Sequence, residues 1–201
     1  EAYGDPDIVP TPETYIGRVQ TLGNRAQYDV SKLMGETLCY HYHKEHGVKV
    51  KIARPFNVYG PGHQNDGRII PELISSVVDN REFVIHGDGA ASRSYCYISD
   101  AVIQLLAVLI DGNPGEAYNV GNDSEDAERS ITDLAKTAQV LFADKPRVRH
   151  TQDAILTKDA PTKRRPSLEK VMGLREPSWP WGFVFLEQGL VRTYLEKTNG
   201  A

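Results

Sequence analysis

Apolar side chains recur along this chain at two spacings, and each spacing predicts a different kind of element. Between residues 27 and 46 they return every three or four positions, which predicts a helix whose buried stripe includes Met34 and Leu38. The next segment, VKVKIARPF, alternates apolar and polar residues, as a half-buried strand does, and Pro55 ends it. Regular structure is therefore predicted to begin with one helix followed by one strand.

Shorter patterns of both kinds continue to the end of the chain. Strands are predicted within EFVIHGDGAAS, SYCYIS, EAYNVGN and RVRHT, and helices over residues 69–80, 101–110, 130–142 and 181–197. Asp100 and Ser130 precede two of these helices and are predicted as their N-caps. Residues 1–26 and 159–167 are predicted as loops because they are rich in proline and polar turn formers. Helices that alternate with short strands predict the α/β class.

Composition and charge exclude several functions. The net charge of −4 offers no basic surface for nucleic acid, and no apolar run reaches the roughly 20 residues that span a bilayer. Cys39 and Cys96 form no disulfide framework, so a reducing cytoplasm is the expected location. His41, His43 and His46 would not share one helix face, and no metal site is predicted.

Tyr28 and Lys32 are the first candidates for chemistry. Four residues apart on a helix, they share one face with about 5–6 Å between their Cβ atoms. A nearby ammonium stabilises a phenolate, so the pair could accept a proton from a sugar hydroxyl. An ordinary surface tyrosine and lysine would show the same spacing, and the pair alone does not distinguish the two readings.

The sequence around this pair is more specific. YDVSK, RPFNVYGPGHQNDGRIIPELI, GDGAASRSYCYISDAV and GEAYNVGN follow one another in that order, after an opening EAYGDP. This ordered set resembles the extended short-chain dehydrogenase/reductase family of NAD-dependent nucleotide-sugar enzymes, which includes 4,6-dehydratases, 4-epimerases and UDP-glucuronate decarboxylases. No G-x-G-x-x-G or Walker loop occurs in the chain. The resemblance therefore implies the C-terminal part of a longer enzyme, inactive by itself.

The resemblance implies a fold and two parts. It predicts the C-terminal part of a Rossmann-type parallel sheet domain, intermixed with a smaller α/β substrate-binding lobe. Residues 1–60 would be the remainder of the dinucleotide-binding domain and carry the catalytic helix. Residues 61–201 would mainly form the lobe that binds a nucleotide-diphosphate sugar, interleaved with the sheet domain. The helix of Tyr28 and Lys32 would form a homodimer interface.

The same resemblance assigns catalytic and cofactor roles. Tyr28 would be the catalytic base, and Lys32 would hold the nicotinamide ribose of NAD and tune Tyr28. Glu1 would be the carboxylate beside the substrate carbon that is processed. Pro55, at the end of the predicted strand, would lie against the cofactor.

Substrate-binding residues follow from the later motifs. Asn57 and Arg93 match family residues that bind the nucleotide-sugar diphosphate, and Arg68 matches the lining of the nucleotide pocket. Two of these residues have a plainer interpretation: Asn57 could close a turn, and Arg93 could pair with Asp88 or with Asp100. The side chains alone do not decide between these interpretations.

Arg164 is the residue that best discriminates between reactions. The stretch DAPTKRRPS resembles one in UDP-glucuronate decarboxylases whose arginine reaches the active site, although Ser167 stands where that subgroup has aspartate. UDP-glucuronate decarboxylation is therefore the predicted reaction, with 4,6-dehydration or 4-epimerisation as alternatives. A truncated, non-catalytic dimerisation partner and an independently folded binding lobe are alternatives of another class.

Overall fold

A computed structural model describes residues 1–152, 162–174 and 182–199, and its helices and strands alternate along the chain. The helices are α1 (Ala26–His46), α2 (Ile69–Val78), α3 (Ile98–Asp111), α4 (Ile131–Leu141), α5 (Glu169–Met172) and α6 (Leu186–Asn199). The strands are β1 (Ile52–Pro55), β2 (Val58–Tyr59), β3 (Phe83–His86), β4 (Ser92–Ser94), β5 (Cys96–Tyr97), β6 (Ala117–Val120), β7 (Glu128–Ser130), β8 (Val148–Thr151) and β9 (Lys163–Arg164). The α/β class is confirmed.

Most of the strand pairs in the described residues are parallel. Strand β1 pairs with β6, β2 with β5, and β3 with β8, all in parallel. A three-stranded sheet has the order β7-β4-β9, in which β7 is antiparallel and β9 parallel to β4. The last sheet joins segments from three distant parts of the chain, and the candidate site is built on it.

Helix α1 matches its prediction in extent but not in burial. It begins one residue early, at Ala26, and Gly47 ends it in the left-handed conformation with φ of 66°, as glycine can do without strain. Met34 and Leu38 were predicted to be buried, yet their exposed fractions are 57% and 52%. The prediction was wrong because periodicity identifies an apolar stripe without identifying what covers it. The homodimer through α1 stays a prediction.

The start of α3 also differs from the prediction. The helix begins at Ile98 with Tyr97 as its N-cap residue, so Asp100 lies inside the first turn instead of capping it. Asp100 is buried, and its Oδ2 accepts a hydrogen bond of 2.8 Å from the backbone nitrogen of Val184. Ser130, in contrast, caps α4 as predicted, because its Oγ accepts from the nitrogen of Asp133 at 3.0 Å.

Other predicted boundaries need correction. The strand that ends at Pro55 starts only at Ile52, and the single strand predicted in SYCYIS is split between β4 and β5. Lys163 and Arg164 form strand β9 within a predicted loop, whose residues 159–161 lie outside the described residues. The last helix begins at Leu186 instead of residue 181, which itself is not among the described residues.

Two apolar clusters hold the elements together. One combines α2, α4, α6 and β3 around side chains such as Leu73, Phe83 and Leu190. The other combines α3, α5 and β6 around Val108, Tyr118 and other buried residues. The division of the chain near residue 60 stays a prediction. No helix in the described ranges is both long enough and apolar enough to cross a membrane.

The irregular N-terminal segment is fixed by one fully buried side chain of β6. The amide nitrogen of Asn119 donates to the carbonyl oxygens of Thr11 and Ser167, at 2.9 and 3.0 Å, and its Oδ1 accepts from the Tyr3 hydroxyl at 2.8 Å. The backbone nitrogen of Asn119 donates to Glu13 at 2.7 Å. The N-terminal segment and the segment that follows β9 are thereby attached to the same strand.

Asn119→Ala should therefore destabilise the protein strongly. The substitution removes three side-chain hydrogen bonds, each worth about 0.5–1.5 kcal/mol, and leaves the Ser167 carbonyl oxygen without a partner among the described residues. We expect the free energy of unfolding to fall by about 3 kcal/mol, measured by urea denaturation of the protein that carries this chain. Gln20→Ala, which removes an exposed amide, is the control and should stay within about 0.5 kcal/mol of wild type. Equal stability of the two variants would contradict the assignment.

Candidate active site

Glu1 and Arg164, which are far apart in sequence, meet at the edge of the three-stranded sheet. The Oε1 atom of Glu1 accepts from Arg164 Nη1 at 2.8 Å and from Arg25 Nη2 at 3.1 Å. Arg164 is on β9, and Arg25 is the residue immediately before α1. One carboxylate thus joins the sheet to the helix that carries Tyr28 and Lys32.

This carboxylate is ionised at neutral pH. Burial by itself would raise the pKa of Glu1, but the charge of Arg164, the N-terminal ammonium, the hydrogen bond from Arg164 and, least, the charge of Arg25 outweigh it, so that the pKa lies below its ordinary value of 4.5. Three buried atoms around it have no hydrogen-bond partner among the described residues: Arg164 Nη2, Arg25 Nε and Asp29 Oδ1. Unpartnered polar atoms in a charged cluster are typical of sites that bind a polar group from outside the chain.

Arg93 adjoins this cluster at the centre of the sheet. Strand register places it directly opposite Arg164 of β9 and directly opposite Arg129 of β7. Directly opposed residues point to the same face of a sheet, so the three side chains form a row, here called the arginine row. Burial first, and then repulsion by Arg164, lowers the pKa of Arg93 to about 10. The row is therefore a concentrated positive site.

The prediction that Arg93 could pair with Asp88 or with Asp100 is wrong, because both carboxylates have other partners. Asp100 instead accepts from Val184, as described above, and Asp88 Oδ1 accepts from the backbone nitrogen of Ala90 at 2.9 Å. The hydrogen bond that Arg93 makes within the described residues runs from Nη1 to the carbonyl oxygen of Ser92, at 2.7 Å.

Tyr28 and Lys32 lie together on the surface of α1. The Lys32 ammonium is 5.0 Å from the centre of the Tyr28 ring, and 45% of Tyr28 is exposed. Pro55 is also exposed and lies at the carboxyl end of β1, the end at which open α/β sheets bind ligands. All three residues are exposed, and their cofactor-binding roles stay predictions.

Asn57 and Arg68 have local partners. Asn57 has a left-handed backbone, with φ of 42°, and its amide nitrogen donates to the carbonyl oxygen of Ser94 at 3.0 Å. This is the turn-closing role. Its Oδ1 could still accept from a ligand. Arg68 is exposed and pairs with Asp66 at 3.3 Å, with no described contact to the residues around Glu1. The substrate-binding roles of both residues stay predictions.

Sequence reasoning missed Arg25 and Arg129. Arg25 is three residues before Tyr28, and its carbonyl oxygen accepts from the nitrogen of Tyr28 at 3.0 Å, so proximity to YxxxK was a usable signal. Arg129 offered no comparable signal. It joins the row because β7 pairs with β4 at a sequence separation of more than thirty residues.

Curated relatives match nearly the whole chain. UDP-glucuronic acid decarboxylase 1 of Xenopus tropicalis is 36% identical over 196 residues, which is 96% of this chain and 44% of the relative. UDP-glucuronic acid decarboxylase 3 of Arabidopsis thaliana is 36% identical over 171 residues, 85% of this chain and 48% of the relative. The chain spans about half the length of the curated relatives it matches.

Solved structures show the same fold. An epimerase from Methanothermobacter thermautotrophicus superposes with a TM-score of 0.84 at 26% identity, over 99% of this chain and 56% of that one. A mutant UDP-glucuronic acid 4-epimerase from Bacillus cereus was solved in complex with a fluorinated UDP-glucuronic acid and NAD. It superposes with a TM-score of 0.74 at 26% identity, over 87% of this chain and 53% of that one. The predicted Rossmann-type α/β fold is confirmed.

The match to a family model extends over residues 1–121, more than half of the chain, and its description is the NAD dependent epimerase/dehydratase family. NAD is named in that description and in the Bacillus cereus complex, in agreement with the predicted cofactor. The resemblance inferred from the ordered motifs is thereby confirmed, and the chain belongs to the NAD-dependent epimerase/dehydratase family.

Proposed function

We propose that the protein carrying this chain modifies a nucleotide-diphosphate sugar through oxidation at C4, and that its reaction is UDP-glucuronate decarboxylation. The observation that carries the proposal is the Glu1 carboxylate held between Arg164 and Arg25, beside the helix of Tyr28 and Lys32. Carboxylate, guanidinium, phenol and ammonium are the groups that acid–base chemistry on a sugar acid requires. The curated relatives named above support the choice of reaction.

Tyr28 is the proposed base for the 4-hydroxyl. Its ring is exposed, so a substrate hydroxyl can reach the phenol, and the Lys32 ammonium lies 5.0 Å from the centre of the ring. Tyr28, Lys32 and Pro55 are the residues of this chain that would hold the nicotinamide end of NAD. When bound, NAD⁺ supplies the hydride acceptor that makes oxidation at C4 possible.

Arg164 and Glu1 are the proposed groups for the step after oxidation. When the C5–carboxylate bond breaks and CO₂ leaves, the 4-keto group takes up the electron pair of that bond as an enolate, and C5 is then protonated. Arg164 has a buried Nη2 without a partner in the described residues, which is suited to a substrate carboxylate. Glu1 holds the guanidinium in place through Nη1 and keeps its own negative charge close to the reacting carbon.

Arg93 is the proposed diphosphate-binding residue, since a partly buried guanidinium without a described carboxylate partner favours an anion. Asn57 and Arg68 are proposed as further nucleotide-sugar contacts. Epimerisation at C4 is the second candidate, supported by the likeness to the Bacillus cereus 4-epimerase, which was solved with an analogue of UDP-glucuronic acid. Both reactions begin with the same oxidation, so Tyr28 has the same role in each.

Tyr28→Phe should abolish the oxidation step. We expect kcat of the complete protein to fall at least about 10²-fold, because general acid–base catalysis contributes typically 10²–10⁴-fold. The measurement is turnover of UDP-glucuronate followed by product mass. Tyr40→Phe is the matched control, since Tyr40 is a second exposed tyrosine of α1. Near-normal turnover by Tyr28→Phe would mean that another residue is the base.

Arg164→Ala should separate oxidation from CO₂ release. The complete protein is incubated with UDP-glucuronate and, separately, with dTDP-glucose, and product masses are read. Wild type should lose CO₂ from UDP-glucuronate. Arg164→Ala should lower CO₂ release about 10²-fold, as expected for a removed charge-stabilising donor, while reduced nicotinamide still forms in a single turnover.

Arg165→Ala is the control for this experiment, because Arg165 is the next residue and pairs with Glu128 at 3.4 Å. It should keep CO₂ release within about threefold of wild type. Loss of water from dTDP-glucose by wild type would assign a dehydratase instead. An unchanged mass with inverted C4 would assign an epimerase. Equal loss of both steps in Arg164→Ala would make the residue structural.

A further inference from the structure

The arginine row includes Arg129, which has no part in the function proposed above. Arg129, Arg93 and Arg164 are aligned across β7, β4 and β9 by strand register. Neighbouring strands lie about 4.8 Å apart, so the backbone positions of the row span on the order of 10 Å. An extended anion with more than one charged centre matches such a row better than a single ion does.

Arg129 and Arg93 adopt the same arrangement. In each, Nη1 donates to the carbonyl oxygen of the preceding residue of its own strand: Arg129 to Glu128 at 2.9 Å and Arg93 to Ser92 at 2.7 Å. Each guanidinium is thereby turned along the sheet, and neither makes a further hydrogen bond to the residues that the structure describes. Two guanidinium groups that lie next to each other on one face of the sheet form a site for two neighbouring acidic groups.

The counter-charges along the row are unequal. Arg164 makes a direct hydrogen bond to Glu1, and Arg93 has no carboxylate within 4.0 Å in the part of the chain that the structure describes. Arg129 lies 3.6 Å from Glu187 of α6, beyond hydrogen-bond distance, and the two side chains are 26% and 44% exposed. Exposed pairs of this kind contribute little to stability, so Glu187 can be exchanged for a ligand at small cost.

Like charges placed directly opposite each other in a sheet are destabilising. Burial and repulsion oppose the charge of Arg93, as its pKa of about 10 indicates. Arg129 adds a third positive charge to the same face, on the far side of Arg93 from Glu1. An arrangement that costs stability in the free protein is typical of a binding site whose ligand supplies the missing charge.

We propose that Arg129 is a substrate-binding residue that contacts the diphosphate together with Arg93, and that Glu187 holds Arg129 until the diphosphate displaces it. The inference rests on the proposed function, because the ligand is the diphosphate of a nucleotide sugar. Arg93 and Arg129 would then bind the diphosphate, while Arg164 with Glu1 faces the sugar. Arg129 thereby determines preference for nucleoside diphosphates over monophosphates.

The test is calorimetric titration of the complete protein with UDP and with UMP. Arg129→Ala should weaken UDP binding about tenfold and UMP binding less than about threefold, because only UDP carries the second phosphate. Arg129→Lys should recover part of the UDP affinity. Glu187→Gln should tighten UDP binding, since it removes both a competitor for Arg129 and a negative charge beside the site. Arg149→Ala, which breaks an exposed pair with Glu82, is the control and should change neither affinity.

Thermal unfolding of each variant distinguishes binding from structure. If Arg129→Ala and Glu187→Gln both lower the midpoint of thermal unfolding and both weaken UDP binding, the pair is a structural contact between β7 and α6, and the proposal fails. Unchanged UDP affinity in Arg129→Ala, with normal binding by wild type, overturns the proposal and leaves the proposed function intact. Absence of UDP binding by wild type overturns both.

Discussion

Asn119 holds three distant segments of the chain at one point in the interior. Its side chain binds Thr11 and Tyr3 of the N-terminal segment and Ser167 just beyond β9, while its backbone belongs to β6. Glu1 and Arg164 lie at the ends of the segments so attached. Backbone hydrogen bonds of Thr11 with Arg165 and Ser167 join the two segments directly, and β9 is also held by its pairing with β4. The buried amide of Asn119 therefore acts together with these backbone contacts to keep Glu1 and Arg164 at 2.8 Å.

A second polar contact attaches helix α1. The guanidinium of Arg54 on β1 binds Glu36 of α1 through Nε at 2.8 Å, and its Nη1 donates to the Tyr3 hydroxyl at 2.7 Å. The apolar contacts of α1 are sparse, since Met34 and Leu38 are exposed. Polar contacts therefore carry much of the positioning of α1 in the described structure. Buried polar networks of this kind specify a unique arrangement when every member is satisfied.

Local signals in the sequence were sufficient for local structure. The bounds of α1 and the Ser130 cap depend on residues within a few positions, and both were predictable. Asp100 failed as a cap because its carboxylate binds Val184, a partner more than eighty residues away. Arg129 could not be assigned for the same reason, because its position beside Arg93 depends on the pairing of β7 with β4, which no spacing rule relates. The ordered motifs identified the family, while strand register assembled the site.

The pleat of β4 divides its three residues between two tasks. Ser92 and Ser94 point to one side, where they bind Glu128 and the carbonyl oxygen of Asn122, and Glu128 also pairs with Lys163. Arg93 points to the other side. The polar contacts that hold the sheet together and the arginine row are thus separated by the thickness of one backbone. Substitutions at residues 93, 129 and 164 would therefore remodel one face of the sheet and leave the contacts of the opposite face in place.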